Sequence, residues 1–259
     1  MSDDLWQELS VYHIYPTVNS KIVNPDVLFR HSKSFIVFDL NVCFALLFYQ
    51  EIIDYERKKE DKIPLKYWAH KENAIIRLVT SLDVYLVDSF KNISKSLTLE
   101  KLDRTKLVDF VRTFRSENEY FNAIKTTSRE IALDNILPRR LDLQQKDRCK
   151  KAYSLIDIDV MNVAGKNQPN AFVLWDKIFN KSDGYIQTRH RIVHRGIART
   201  HSENINADYI KTVALDIANF IYDLELEINS KYPKSNYPEI YPETNTGRGV
   251  KLLDISSGY

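Results

Sequence analysis

The sequence predicts a mainly α-helical protein, folded as an antiparallel helical bundle. After residue 67, apolar residues recur at intervals of three and four, as they do along one face of an amphipathic helix. The 259 residues include only 6 glycines and 8 prolines, too few for the frequent tight turns of a β-sandwich. Long helices joined by short connections pack most simply as an antiparallel bundle.

Composition and charge limit the function classes. Hydrophobic residues make up 44% and charged residues 28% of the chain, which is ordinary for a globular protein. The formal net charge is +2, so any binding of nucleic acid has to depend on a local basic patch. Cys43 and Cys149 are far apart and have no CxxC partner, which excludes a cysteine zinc site and a disulfide framework. With an acidic N-terminus unlike that of a signal peptide, these features predict a cytoplasmic protein.

Residues 1–66 form an N-terminal extension in this interpretation. The runs Val27–Phe29 and Phe35–Phe38 are β-branched and aromatic, and we expect them to be able to pair as short strands. Phe35–Ile53 is the stretch nearest in character to a membrane span. It contains four polar or charged residues, so the sequence favours a buried helix, or a strand followed by a helix, over a membrane-spanning helix. We therefore expect no interaction with a membrane.

Residues 67–231 form the predicted bundle. The first helix runs from Tyr67 to about Leu97, and the second follows a cap at Thr98 or Asp103 and continues to about Phe121. The third extends from about Asp147 to Val163. The apolar positions that define these three helices are Ile75, Val79, Leu82, Leu86, Phe90, Leu107, Phe110, Val111, Phe114, Ala152, Ile156 and Val160.

Three further helices and a tail complete the chain. Asn170 can cap a short helix that ends before a break at Ser182–Gly184, and the next segment is rich in arginine and histidine and ends at a C-cap, Gly196. Asn206 is a good N-cap for a final helix to about residue 230. Residues 232–259 contain three Tyr-Pro pairs, so this tail is extended and either wraps a surface or is loose.

The arginine- and histidine-rich segment contains the candidate catalytic residues. Arg189 and His190 are adjacent, and His194 follows four residues later, so a helix would place the two imidazoles on one face. Histidine titrates near neutral pH and can transfer protons, and the arginine guanidinium can bind a phosphate in a bidentate way. This combination suits chemistry on a phosphodiester.

The six residues 189–194, Arg-His-Arg-Ile-Val-His, resemble the signature of the HEPN superfamily, which is an arginine, a polar residue, three further residues and a histidine. The setting is similar too, since the family places this motif on a helix just before the last helix of a four-helix bundle. The likeness spans about residues 67–231, and outside the motif it is a likeness of pattern. It implies that the bundle is HEPN-like.

The resemblance also implies an activity. Active members of the family are metal-independent ribonucleases that need no cofactor and work as homodimers with a composite active site. Carried onto this chain, His194 is the acid–base residue, Arg189 holds the scissile phosphate and His190 positions or assists. The expected RNA products carry 2′,3′-cyclic phosphate and 5′-OH ends. Family members act as toxins paired with an antitoxin protein or in defence against phage.

Other interpretations remain open. Arg191, Arg195 and Arg199 either bind flanking RNA phosphates or form a solvated basic face. Two histidines four residues apart can hold a metal, although the arginines around them would repel a dication. The motif can also be vestigial, in a catalytically inactive nucleotide-, RNA- or partner-binding module. On the first bundle helix, any of four charged residues can face the motif, although charged residues on an amphipathic helix usually form its solvated face; they are Glu72, Arg77, Asp83 and Asp88.

Overall fold

The computed structural model describes residues 3–10, 32–58, 65–114, 130–166, 171–195 and 205–232. Within these ranges the chain forms nine α-helices and two short 3-10 helices, and it has no β-strand. The predicted mainly α-helical class is therefore confirmed. The elements are α1 (Asp3–Ser10), α2 (Lys33–Lys58), α3 (Leu65–Ser94), a 3-10 helix (Leu99–Lys101), α4 (Arg104–Val111), a 3-10 helix (Leu133–Ile136), α5 (Lys146–Leu155), α6 (Val160–Gly165), α7 (Ala171–Phe179), α8 (Tyr185–Arg195) and α9 (Ala207–Lys231).

The two longest helices, α2 with 26 residues and α3 with 30, pack closely against each other. Of the two alternatives for the stretch that begins at Phe35, the strand is wrong and the buried helix is correct, because Phe35–Phe38 lies in the first two turns of α2. Phe35, Phe38, Val42 and Tyr49 are buried at helical intervals against the core. That spacing and the partner α3 outweigh the β-propensity of the local run. The other predicted strand, Val27–Phe29, lies outside the described residues.

Helix α2 is also apolar enough to be compared with a membrane span. From Ser34 to Lys58 it is long and apolar enough to cross a membrane, since an 18-residue window within it has a mean hydropathy of 1.7, and of the described helices it alone is so. Core helices of soluble proteins pass the same test. Its apolar positions form one hydrophobic core with those of the other helices. The absence of a membrane partner and the cytoplasmic location stay predictions.

The last helix of the described residues, α9, packs against five of the other helices. It packs against α1, α2, α3, α6 and α7. The predicted cap is confirmed, since the side chain of Asn206 accepts a hydrogen bond from Tyr209 N at 2.8 Å. The predicted inward positions are all buried, namely Ile210, Val213, Ile217, Ile221, Leu224 and Ile228.

A buried carboxylate links α9 to the start of α2 and to α3. Glu225 is completely buried. It accepts hydrogen bonds from the hydroxyls of Ser32 and Tyr85, both at 2.8 Å, and from the side-chain amide of Asn229 at 3.2 Å. The backbone N–H of Ser32 donates to it as well. Because four donors surround the charge, its burial is compensated.

Two predicted helices differ from the structure. The second begins after the cap Asp103, as predicted, but ends at Val111, and residues 115–121 lie outside the described ranges. The third is two helices, α5 and α6, separated at residues 156–159. Asp157 has a positive φ of 54°, and the side chain of Asp159 caps α6. The residues at the break, Ile156 and Ile158, are still buried, which explains why the apolar spacing masks it.

Candidate active site

A tight turn at Gly184 sets the direction of α8. The Asn180 side chain accepts a hydrogen bond from Ser182 N at 2.8 Å, and Gly184 N donates to Asn180 O at 3.1 Å. A Cβ on Gly184 would lie 2.6 Å from both Asn180 N and Asn180 O, and 2.9 Å from Ile178 O. Only glycine fits this close approach of backbone to backbone. The predicted break at residues 182–184 is therefore confirmed.

Polar and apolar contacts hold α8 in place. The hydroxyl of Tyr185, at its first residue, donates to the Asp216 carboxylate on α9, which also pairs with Lys177 on α7 at 3.1 Å. Thr188 and Ile192 are buried on the inner side of the helix. Helix α8 packs on α3 and α7. Its outer side chains are therefore presented from a fixed backbone.

The three predicted catalytic residues lie together on α8. Arg189 and His190 are half-buried, whereas His194 is exposed. The imidazole rings of His190 and His194 are nearly parallel, with an interplanar angle of 10° and 6.1 Å between their centroids. This is the same-face arrangement that the four-residue spacing predicts.

The surroundings of His190 favour its neutral form. Burial lowers the pKa of this imidazole from its usual value, and the positive charges of Arg189 and His194 lower it further. Asp142 and Asp83 act in the opposite direction but are outweighed. His190 is therefore neutral at pH 7 and available to accept a proton.

Asp83, on α3, faces the motif. Its Oδ2 accepts a hydrogen bond from the side-chain amide of Gln144 at 2.8 Å, while its Oδ1 is buried with no partner. Burial raises the pKa of this carboxyl, and the charges of Arg189 and His190 partly offset that effect. Of the two alternatives that the sequence leaves open for Asp83, the structure therefore favours a place facing the motif, whereas Asp88 is exposed. Asp83 is three residues before the buried Leu86 and four after the buried Val79, a spacing that could have located it at the edge of the core.

The loop before α5 brings Gln144 to Asp83. The nearly buried guanidinium of Arg148 donates to the carbonyl oxygen of Asp142 at 3.3 Å and to the carbonyl oxygen of Thr113. Asp142 in turn accepts a hydrogen bond from the backbone N–H of Gln144 at 2.9 Å. The polar groups opposite α8 are thus held by the rest of the bundle. Neither Gln144 nor Asp142 stands out in the sequence, because each depends on a tertiary contact.

The flanking arginine Arg191 is held at the turn before α8. Arg191 donates hydrogen bonds to the carbonyl oxygen of Ser182 and to the hydroxyl of Thr188, the latter at 3.0 Å. Part of its donor capacity is therefore used within the turn and α8. Arg195 is the last residue of α8, and Arg199 and Gly196 lie outside the described residues.

Comparisons of the chain with protein-family models, curated proteins and solved structures found no match. The likeness to the HEPN superfamily therefore depends on residues 189–194 and on the order of the helices around them. Across the described part of the chain, no group of three or more His, Cys, Asp or Glu side chains is arranged to hold a metal ion. The groups closest to the proposed chemistry are the imidazoles of His190 and His194, the guanidinium of Arg189 and, from α3, the half-buried carboxylate of Asp83.

Proposed function

We propose that this protein is a metal-independent endoribonuclease of the HEPN type, which cleaves RNA by attack of the 2′-hydroxyl on the adjacent phosphodiester. The observation that carries the proposal is the arrangement of Arg189, His190 and His194 on one helix, with the two imidazole rings parallel and 6.1 Å apart. RNA supplies its own nucleophile, so the protein has only to move protons and stabilise negative charge.

The chemistry assigns a role to each side chain. The 2′-OH loses its proton to a neutral imidazole as the bond from O2′ to phosphorus forms. The bond from phosphorus to O5′ breaks, and O5′ takes a proton from an imidazolium. His194, which is exposed, is the acid–base residue, and His190 assists in its neutral form. The Arg189 guanidinium binds the non-bridging oxygens and stabilises the charge that develops on them. Arg191, Arg195 and Arg199 are proposed to bind neighbouring phosphates.

The geometry of in-line displacement supports a homodimer. The attacking O2′ and the leaving O5′ lie on opposite sides of phosphorus, whereas His190 and His194 extend from the same side of α8. A second copy of α8 would supply proton-transfer groups on the opposite side. We therefore infer a composite site between two subunits, with RNA as substrate. An antitoxin protein that covers this site, and a role in defence against phage, belong to the same proposal.

The test is cleavage of a mixed RNA pool in EDTA by the wild-type protein and by His194→Ala. We expect the wild type to produce fragments with 2′,3′-cyclic phosphate ends, and His194→Ala to be slower by roughly 10²- to 10⁴-fold, the usual contribution of an acid–base residue. Val193→Ala is the matched control, because Val193 is an exposed neighbour on α8.

Each other outcome is informative. Equal cleavage by wild type and His194→Ala would rule out His194 as the acid–base residue and point to a contaminating nuclease. Cleavage that requires added metal would contradict the mechanism. If neither protein cleaves RNA although both are folded and dimeric, the ribonuclease proposal fails and a binding module with a vestigial motif becomes the better explanation.

A further inference from the structure

We propose that Asp83 is a positioning residue for Arg189. When the outer nitrogens of the guanidinium bind a phosphate, Arg189 Nε donates a hydrogen bond to Asp83 Oδ1 and fixes the plane of the guanidinium. This inference rests on the proposed function for the identity of the phosphate, which is the scissile phosphodiester of RNA.

Two buried polar atoms of opposite character carry the inference. Asp83 Oδ1 and Arg189 Nε are both buried, and neither has a hydrogen-bond partner. They belong to helices that pack directly on each other, α3 and α8. A buried polar atom without a partner costs free energy, commonly about 1–3 kcal/mol. One acceptor and one donor left open across the same helix contact are therefore suited to pair.

The other oxygen of Asp83 is already fixed. Gln144 donates to Oδ2 at 2.8 Å from a loop that Arg148 holds. With Oδ2 occupied and Oδ1 open, the carboxylate has one defined direction left for a donor. Arginine binds a phosphate through its outer nitrogens and can use Nε for a second contact, because its five N–H donors form a planar fork.

The charges around Asp83 agree with a functional rather than a stabilising role. Its neighbours are Arg189 and His190 from α8, Asp142 from the loop, and Cys149 from α5, whose thiol pKa Asp83 helps to raise. Burial raises the pKa of Asp83 above its ordinary value. The pKa of this carboxyl is thus higher in the folded protein than in the unfolded chain. The free energy of unfolding therefore falls as the pH rises from the unfolded-state pKa towards the folded-state pKa, because the buried carboxyl loses its proton. At neutral pH the ionised form destabilises the fold. A carboxylate kept at such a cost is typical of a functional site.

The experiment compares Asp83→Asn with the wild type and with Asp88→Asn, an exposed aspartate on the same helix. The ligand probe is a short DNA oligonucleotide, which has the phosphates but lacks the attacking 2′-hydroxyl. In the wild type, we expect the probe to shift the NMR signal of Arg189 Nε–H and slow its exchange with water. Asp83→Asn should abolish this protection and Asp88→Asn should keep it.

Activity and stability provide a second readout. We expect Asp83→Asn to lower kcat for RNA on the order of 10²-fold, since misplacement of a catalytic group by about 1 Å has effects of that size. Its melting temperature should be unchanged or higher, because a destabilising charge is removed. A merely structural residue would instead lose stability together with activity.

The two proposals fail in different ways. A wild type that cleaves RNA with no loss of kcat in Asp83→Asn, or the same Nε–H protection in that variant, would overturn the positioning role and leave the ribonuclease intact. Protection that depends on Asp83 in a protein without ribonuclease activity would support the pairing while the proposed function fails. A wild type in which the probe leaves Arg189 unprotected overturns the pairing.

Discussion

At the scale of single residues, the candidate site combines one half-buried and one exposed imidazole on the same helix face. His190 is half-buried and His194 is exposed, and the positive charge of His194 is one of the causes that lower the pKa of His190. Two like groups with different environments can divide the roles of proton acceptor and proton donor, as acid–base pairs in enzymes do. The burial of His190 is thus as important to the proposed chemistry as its identity.

We expect His194→Gln to raise the pKa of His190. The positive charge of His194 is one of the causes that lower this pKa, after burial and Arg189, and glutamine carries no charge. The value should move towards, but not reach, that of a free histidine, since burial and Arg189 remain. A pH titration of the His190 ring signals by NMR measures this change. Val193→Ala should leave the titration unchanged, and a lower pKa in His194→Gln would contradict the expected electrostatic coupling.

The motif residues could be predicted from the sequence, whereas their supporting residues could not. Arg189, His190 and His194 are close in the chain, so helical spacing alone brings them together. Asp83 and Gln144 are distant from the motif in the chain, and only the packing of the helices brings them close to it. No local sequence pattern predicts such a contact. For Asp83 the sequence leaves two alternatives open, because charged residues on an amphipathic helix are usually solvated and only packing shows that this one faces the motif.

At the scale of elements, the helix starts that the sequence predicts correctly are those with a capping side chain. Asn206 and Asp103 cap α9 and α4 where expected, because a side chain that binds the first free N–H groups acts within a few residues. The apolar spacing does not reveal the break between α5 and α6, because Ile156 is buried whether the helix continues or ends there. There the signal was Asp157 and Asp159, two residues that favour turns and caps.

The turn between α7 and α8 provides the test at this scale. In Gly184→Ala, the added Cβ would lie 2.6 Å from backbone atoms of Asn180, which cannot move aside as a flexible side chain can. We expect a loss of about 1–3 kcal/mol in the free energy of unfolding, as for other overpacked sites. Chemical denaturation measures it, with Ser182→Ala, at an exposed position in the same turn, as the control. An unchanged free energy of unfolding would mean that the turn relaxes.

At the scale of the whole molecule, the proposed active site belongs to two chains. Because the proposed composite site takes its opposite-side groups from a second copy, we expect activity to depend on the fraction of dimer. We expect the specific ribonuclease activity to fall when the protein is diluted through the concentration at which sedimentation shows the dimer dissociating. A dilution series of initial rates measures this dependence. Specific activity that stays constant while the protein is monomeric would contradict the composite site.

The position of α9 at the end of the described chain has a consequence for biosynthesis. Ser32 and Glu225 are 193 residues apart, and at ordinary rates of translation the ribosome needs roughly 10 to 40 s to make the chain between them. Until α9 emerges, the apolar sides of α2 and α3 lack one of their covering helices, and Tyr185 lacks its acceptor Asp216. The helix that carries His190 and His194 therefore gains this support only after α9 has been synthesised.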